Sequence, residues 1–307
     1  MERNMAKTSV RIGKGSYEGH AVITLATRAL KMSIVTDAGP RIAFFGKPKG
    51  RNLLYWDRQG LGRGDWKLMG GHRVWPTRPG ADESEDGYRA DNGKCSAQAR
   101  GDSVTVISAA DPVFNTKRGI TVRVVSENRV EVENFIENQG PMLYSCGAWA
   151  LTCTLPAEGT AYGIPLGDGS DWDCFKLVLF KTWGGGHTSG FDDDQVSFTP
   201  DMLLVHPKGR ETKRMLQAQR GIIAMEAPDC GCTFAKRTGY DRSASYPLGC
   251  NMAFYIGPKN FMVEMETMGP EIALKSGDRA VNRESWALTD SAVGLRDAAK
   301  LIGLFPG

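Results

Sequence analysis

The sequence predicts a large antiparallel all-β protein, on three observations. Short alternating or apolar runs follow one another along almost the whole chain, and Gly, Pro, Asn and Asp break them apart. The 37 Gly and 15 Pro among 307 residues supply the turns such a fold needs. No run carries the 3.6-residue periodicity of a long amphipathic helix.

In chain order the predicted strands are KMSIVT (31–36), RIAFF (41–45), NLLYW (52–56), SVTVIS (103–108), ITVRVV (120–125) and RVEVENF (129–135). They continue with KLVLF (176–180), GIIAME (221–226), CTFAKR (232–237), NMAFYI (251–256), FMVEMET (261–267) and ESWALT (284–289). Only the stretches 24–29 and 291–301 could carry a helical turn or two, the second with weak helical periodicity. No short repeat and no Ser/Pro-rich linker divides the chain, so residues 1–307 read as one domain. Two long loops, 75–94 and 183–195, stand out, because long loops in a compact sandwich more often form sites than merely connect strands.

With 38 Lys and Arg against 35 Asp and Glu, the formal charge is +3, and the cations are dispersed. Nothing forms the basic stripe a nucleic acid requires, so the expected partner is a neutral or weakly anionic small molecule. The N-terminal stretch lacks an apolar core and no later run is long enough to span a bilayer. Seven cysteines make an odd number without CxxC spacing, which suits reduced thiols; together these features predict a soluble, cytoplasmic protein without membrane contact. Cys230-Gly-Cys232 offers half a metal site but no second cluster completes it, so no metal is expected. P-loop, dinucleotide, GxSxG and HExxH motifs are absent from the sequence, and no cofactor is expected.

Glu264 and Glu266 in FMVEMETMGP are the most informative pair. Alternation along a strand sends both to one face, with Met262 and Met268, while Phe261, Val263 and Met265 take the other. Their Cα atoms should lie roughly 6.5 to 7 Å apart. In a cleft, two such carboxylates push their pKa values apart, as acid/base chemistry requires; on a solvated sheet face they only keep an edge soluble.

GGHRVWPTRP places His72, Arg73 and Trp75 between two glycines and a proline. Trp75 offers a plane for a pyranose ring, and Arg73 a fork of donors for hydroxyls or a carboxylate that need not also support the core. The structural alternative is an Arg capping carbonyls at a sheet corner and a Trp plugging the core.

In FAKRTGYDRSASYPLGCN, Lys236, Arg237 and Tyr246 precede the carboxylate strand. In a meander, Lys236 and Arg237 would lie across from or beside the glutamates, lowering one pKa and leaving the other to hold a proton. An ordinary cross-strand ion pair is the competing account. His187, after three glycines, suits a lid over bound ligand or simply a flexible loop. Asp192, Asp193 and Asp194 read as solvated.

VTDAGPRIAFFG with NLLYWD, GGHRVWP, ENQGPMLYSCGAWALT, FAKR, YPLGCN and VEMETMGP followed by LKSGDRAVNRESWAL together resemble the galactose mutarotase-like superfamily, within it a bacterial family of unknown function. The resemblance spans nearly the whole chain. It implies a β-supersandwich of large antiparallel sheets with a carbohydrate cleft on one concave face. It also implies Glu266 as the general base that opens a hemiacetal ring, Glu264 as its neighbour, and Arg73 as the group gripping sugar hydroxyls. The superfamily's histidine acid is missing, since the comparable stretch SCGAWALTC carries Trp149 instead; protonation of the ring oxygen would fall to His72, Lys236 or His187.

The expected function is that of an aldose-1-epimerase-like isomerase acting on a sugar or sugar acid. A non-catalytic carbohydrate-binding or sensing protein is the alternative that the missing histidine favours. A glycoside hydrolase or polysaccharide lyase is a second alternative: an inverting pair stands roughly 6.5 to 9.5 Å apart, but two glutamates on one strand flank a glycosidic bond awkwardly.

Overall fold

A computed structural model of the chain describes residues 8–77, 88, 90–167, 176–180 and 192–306. Two ten-stranded sheets, antiparallel at every pairing within them, account for most of these residues. The first runs Arg11–Tyr17, His20–Ala26, Lys31–Val35, Arg41–Gly46, His72–Pro76, Ala148–Thr154, Val263–Met268, Met252–Ile256, Thr212–Leu216, Leu177–Leu179. The second runs Val196–Phe198, Met202–Val205, Ala161–Pro165, Ile222–Ala227, Cys232–Thr238, Arg279–Leu288, Arg129–Asn138, Thr116–Ser126, Ser103–Ser108, Cys95–Arg100. Their inner faces share one apolar core, to which the first sheet sends Ile34, Ile42, Phe45 and Met265 and the second Val106, Val122, Val132, Phe234 and Trp286. Phe45 marks the seam, its ring 4.7 Å from Phe234 and 5.2 Å from Trp286.

Most predicted strands form. The segment 24–29 does not become helical; its first residues complete the His20–Ala26 strand, since paired neighbours on both sides outweigh weak local propensity. The run 52–56 makes only isolated bridges, Leu54 to Thr154 and Trp56 to Gly70, as the chain turns a corner there. A single short helix, Ala298–Gly303, capped by the Asp297 side chain, lies within 291–306. It buries Leu301 against Ile222, Ala224, Ala235 and Ala287 on the outer face of the second sheet, where small residues leave room for it. The six described cysteines are all free thiols; Cys174 lies outside the described residues. No described helix is long and apolar enough to cross a membrane.

Gly70 and Gly71 set the entry to the His72–Pro76 strand. Both have positive φ, +87° and +73°, and a Cβ on Gly71 would stand 2.3 Å from the Ile42 carbonyl oxygen. Only glycine meets both demands.

The inter-sheet core also holds a polar network. His72 Nε2 donates to Asn134 Oδ1 at 2.7 Å, and its Nδ1 accepts from the Thr152 hydroxyl at 2.9 Å. Thr152 in turn accepts from Lys236 Nζ at 2.8 Å, and the same ammonium meets Glu284 Oε1 at 2.7 Å. Glu284 further accepts from Thr267, Asn134 and Trp286 at 2.6, 3.2 and 3.1 Å. Asn134 Nδ2 donates to the Asn282 carbonyl and to Glu284, so its Oδ1 is left as the acceptor and the His72 proton is assigned to Nε2. Burial first, with Lys236 and Arg73 adding to it, pulls the His72 pKa from 6.5 down to about 4, against the pull of Glu284. For Glu284 burial acts upward, but Lys236 and His72 outweigh it and hold the carboxyl below its ordinary range.

Because unfolded His72 binds a proton near pH 6.5 and folded His72 only near 4, the unfolded chain binds more protons between those values. Stability should therefore fall by up to about 3 kcal/mol from this group as pH drops through that window. Urea unfolding measured at intervals across it should show this loss in the wild type, and His72→Gln should flatten it. An unchanged slope in the variant would assign the acid lability to other groups.

Candidate functional site

Five adjacent strands of the first sheet build the candidate site, and alternation decides which side chains reach its outer face. Arg73 and Trp75 come from His72–Pro76, Trp149, Leu151 and Cys153 from Ala148–Thr154, and Glu264, Glu266 and Met268 from Val263–Met268. Register brings them together: Trp75 stands opposite Trp149, Leu151 opposite both Arg73 and Glu266, and Cys153 opposite Glu264. On the other side Ala253 faces Glu266 and Tyr255 faces Glu264. Since Ala253 fills little space, Lys213, opposite Tyr255 on the next strand, reaches diagonally across it.

Lys213 Nζ lies 2.8 and 2.7 Å from the two oxygens of Glu266. Trp149 Nε1 donates to Glu266 Oε2 at 2.9 Å, and the Lys213 ammonium sits 4.8 Å from the centre of the Trp149 ring. All three side chains are buried. A carboxylate gripped by an ammonium and an indole N–H is held ionised in a fixed direction.

A second pair lies beside the first. Arg73 Nη2 donates to Glu264 Oε1 at 3.2 Å and Nη1 to Cys153 Sγ at 3.3 Å, while the thiol donates to the same Glu264 oxygen at 3.2 Å. Burial pushes the Cys153 thiol well up, so it is a donor and not a nucleophile. The Arg73 guanidinium lies 4.8 Å over the Trp75 ring.

Asp91, near the end of the 75–94 segment, ties this pair to the sheet. It accepts from Trp75 Nε1 at 2.7 Å, Trp66 Nε1 at 3.0 Å and Arg41 Nη2 at 2.9 Å, with Arg73 at 3.9 Å and Arg118 at 4.0 Å. Burial acts to raise the Asp91 pKa, but Arg41, Arg73 and Arg118 outweigh it and hold the carboxyl below its ordinary value.

Of the residues singled out in the sequence, Glu264, Glu266, Arg73, Trp75 and Trp149 converge here. His72 does not: it points to the opposite side of its strand, into the inter-sheet core. Lys236 and Arg237 do not lie beside the glutamates, because Cys232–Thr238 belongs to the second sheet, between Ile222–Ala227 and Arg279–Leu288. Lys236 serves the core network, and Arg237 donates to the Phe305 carbonyl at 3.2 Å. Tyr246 accepts from the Asp241 amide at 3.0 Å, and its ring packs on Tyr240. His187 and the rest of 181–191 lie outside the described residues. Asp193 is not solvated as expected: it is buried and bound by Thr212, Gln195 and Arg210 at 2.7, 3.1 and 2.8 Å. No cluster of three or more metal-ligating side chains occurs among the described residues.

Lys213, Cys153 and Asp91 escape sequence reasoning. Lys213 sits in ETKRML, where nothing local distinguishes a buried lysine from a solvated one, and Asp91 sits in ADNGK, which reads as a plain turn.

No family model matches the chain, and no curated protein matches it in sequence. Solved structures do. A galactose mutarotase-like protein from Clostridium acetobutylicum superposes with TM-score 0.61 at 11% identity, covering 92% of this chain and 99% of that one. Another from Lactobacillus casei gives 0.60 at 11% identity, covering 87% and 100%. A TPR-domain containing protein from Parabacteroides distasonis gives 0.59 at 13% identity over 91% of this chain but 48% of that one, so this chain spans about half its length. The protein has a galactose mutarotase-like fold, as the sequence resemblance implies.

Arg73→Ala is expected to destabilise the protein by about 3 to 5 kcal/mol, because it strands Glu264 as a buried, uncompensated charge. This reverses the sequence-based expectation that Arg73 is free to serve a ligand without supporting the core. In denaturant unfolding, Arg73→Met combined with Glu264→Gln should recover most of the loss; no recovery would show that Arg73 acts through contacts other than Glu264.

Proposed function

We propose that the outer face around Glu266 binds a saccharide and interconverts its anomers, with Glu266 as general base and Lys213 as general acid. The observation that carries this reading is the direct contact of Lys213 with both oxygens of Glu266. Glu266 takes the anomeric hydroxyl proton while the Lys213 ammonium gives a proton to the ring oxygen, and the bond from C1 to that oxygen breaks to leave an aldehyde. Closure on the other face of the carbonyl reverses both transfers. Lys213 thereby fills the role that a histidine holds in mutarotases and that neither Trp149 nor the inward-facing His72 can fill. Trp75 and Trp149 supply the apolar walls, and their N–H groups are committed to Asp91 and Glu266, so they orient the walls more than they bind hydroxyls.

A carbohydrate-binding protein without catalysis is the second reading, favoured by the saturation of Glu266: a carboxylate compensated by an ammonium is a weaker base. A hydrolase or lyase fits less well. Glu264 and Glu266 approach from the same side of the sheet, each bound to its own cation, and leave the far side of a glycosidic bond unserved.

Glu266→Gln should leave saccharide binding within a few fold and slow anomer exchange by about 10²-fold or more. Lys213→Met should slow exchange comparably and remove the alkaline limb of its pH profile. Polarimetry and saturation-transfer NMR on a panel of monosaccharides and uronic acids measure both. A wild type that binds a sugar yet never accelerates its anomer exchange would establish the binding-protein reading instead.

A further inference from the structure

On the far side of the sandwich, the outer face of the second sheet carries a groove of about 320 Å³ between the C-terminal segment and the strands, lined by Arg129, Glu131, Arg237, Arg283, Ser285 and Phe305 among others. Two of its charged residues are compensated by neighbours outside it: Glu131 pairs with Arg123 at 2.6 Å, and Arg283 with Glu133 at 2.9 Å. Those four charges cancel. Arg129 has no side-chain hydrogen bond or ion pair among the described residues, and Arg237 spends only Nη1, on the Phe305 carbonyl at 3.2 Å. That bond turns the guanidinium toward the C-terminal wall and leaves Nε and Nη2 to serve a ligand. Register places Ser285 directly opposite both Glu131 and Arg237, and its hydroxyl also has no partner among the described residues.

We infer that this groove is an anion site, separate from the Glu266 face, that takes the phosphoryl group of a small phosphorylated metabolite. Two uncompensated guanidinium groups match the charge of a phosphate dianion, and their planar forks with one hydroxyl match its oxygens. The volume lies within the range of small-molecule sites. The Phe305 ring and the aliphatic stem of Arg129 offer an apolar wall for the remainder of such a ligand. Both sheets lie between this groove and Glu266, so occupancy here does not obstruct the other face.

Inorganic phosphate is the probe, titrated by calorimetry and by ³¹P NMR line width at constant ionic strength set with sodium chloride. The wild type should bind it, Arg129→Gln/Arg237→Gln should weaken binding about tenfold or more, and Glu266→Gln should leave it unchanged. Both arginines are at least partly exposed, so circular dichroism should show the double variant folded. Should it fail to fold, Ser285→Ala is expected to weaken binding severalfold. The inference is overturned if the wild type does not bind millimolar phosphate, if the arginine or serine variants bind as tightly as the wild type, or if Glu266→Gln abolishes binding.

Discussion

Among the described residues, each of the carboxylates Glu266, Glu264 and Asp91 buried at the outer face of the first sheet is matched to a cation within a few ångströms, and this pairing is the constraint the site depends on. Taking a charge out of water is expensive, and the cost is offset only when a partner and further hydrogen bonds replace the solvent. Lys213 does this for Glu266, Arg73 for Glu264 and Arg41 for Asp91. Indole N–H groups complete the shells of Glu266 and Asp91, and the Cys153 thiol that of Glu264. The same aromatics therefore act as apolar filling and as donors, which explains why tryptophans and not phenylalanines stand at positions 66, 75 and 149.

The same strands carry a second set of polar groups on their other face. Thr267 alternates with Glu266, Thr152 with Leu151 and Cys153, and His72 with Arg73. The inner groups join Lys236 and Glu284 of the second sheet through hydrogen bonds of 2.6 to 2.8 Å. Purely apolar contact between sheets tolerates sliding by a residue or rotation by a few degrees, because dispersion is not directional. A hydrogen-bonded lysine and carboxylate tolerate neither. The network thus fixes how the first sheet sits on the second, and through the alternating backbone it fixes where Arg73 and Glu266 point.

The fold was legible because strand formation here follows local pattern: the alternation of SVTVIS and RVEVENF is visible in five or six residues and was realised as paired strands. The shared face of Glu264 and Glu266 was legible for the same reason. What alternation does not give is which side of a strand faces the core when both sides carry polar groups. In GGHRVWP the parity of one residue separates Arg73, at the site, from His72, in the core, and a local reading treats both as candidates. Chain crossing hid the rest. Lys236 and Lys213 each lie within about fifty residues of Glu266, yet the nearer in sequence belongs to the opposite sheet and the farther one touches the carboxylate.

That exchange of cations bears on the chemistry. A lysine reaching Glu266 from two strands away passes over the strand that carries Ala253, whose small side chain stands directly opposite Glu266. The small side chain at 253 and the long one at 213 form one device, unremarkable singly and decisive together. It places an ammonium against a carboxylate in a walled, dry environment, where their attraction is stronger than in water and each limits the other's freedom to move. An isolated glutamate on this face would take up a proton to escape burial and lose its capacity to accept one. With Lys213 in place the ammonium and the Trp149 N–H offset that burial and hold the carboxylate ionised among aromatic side chains.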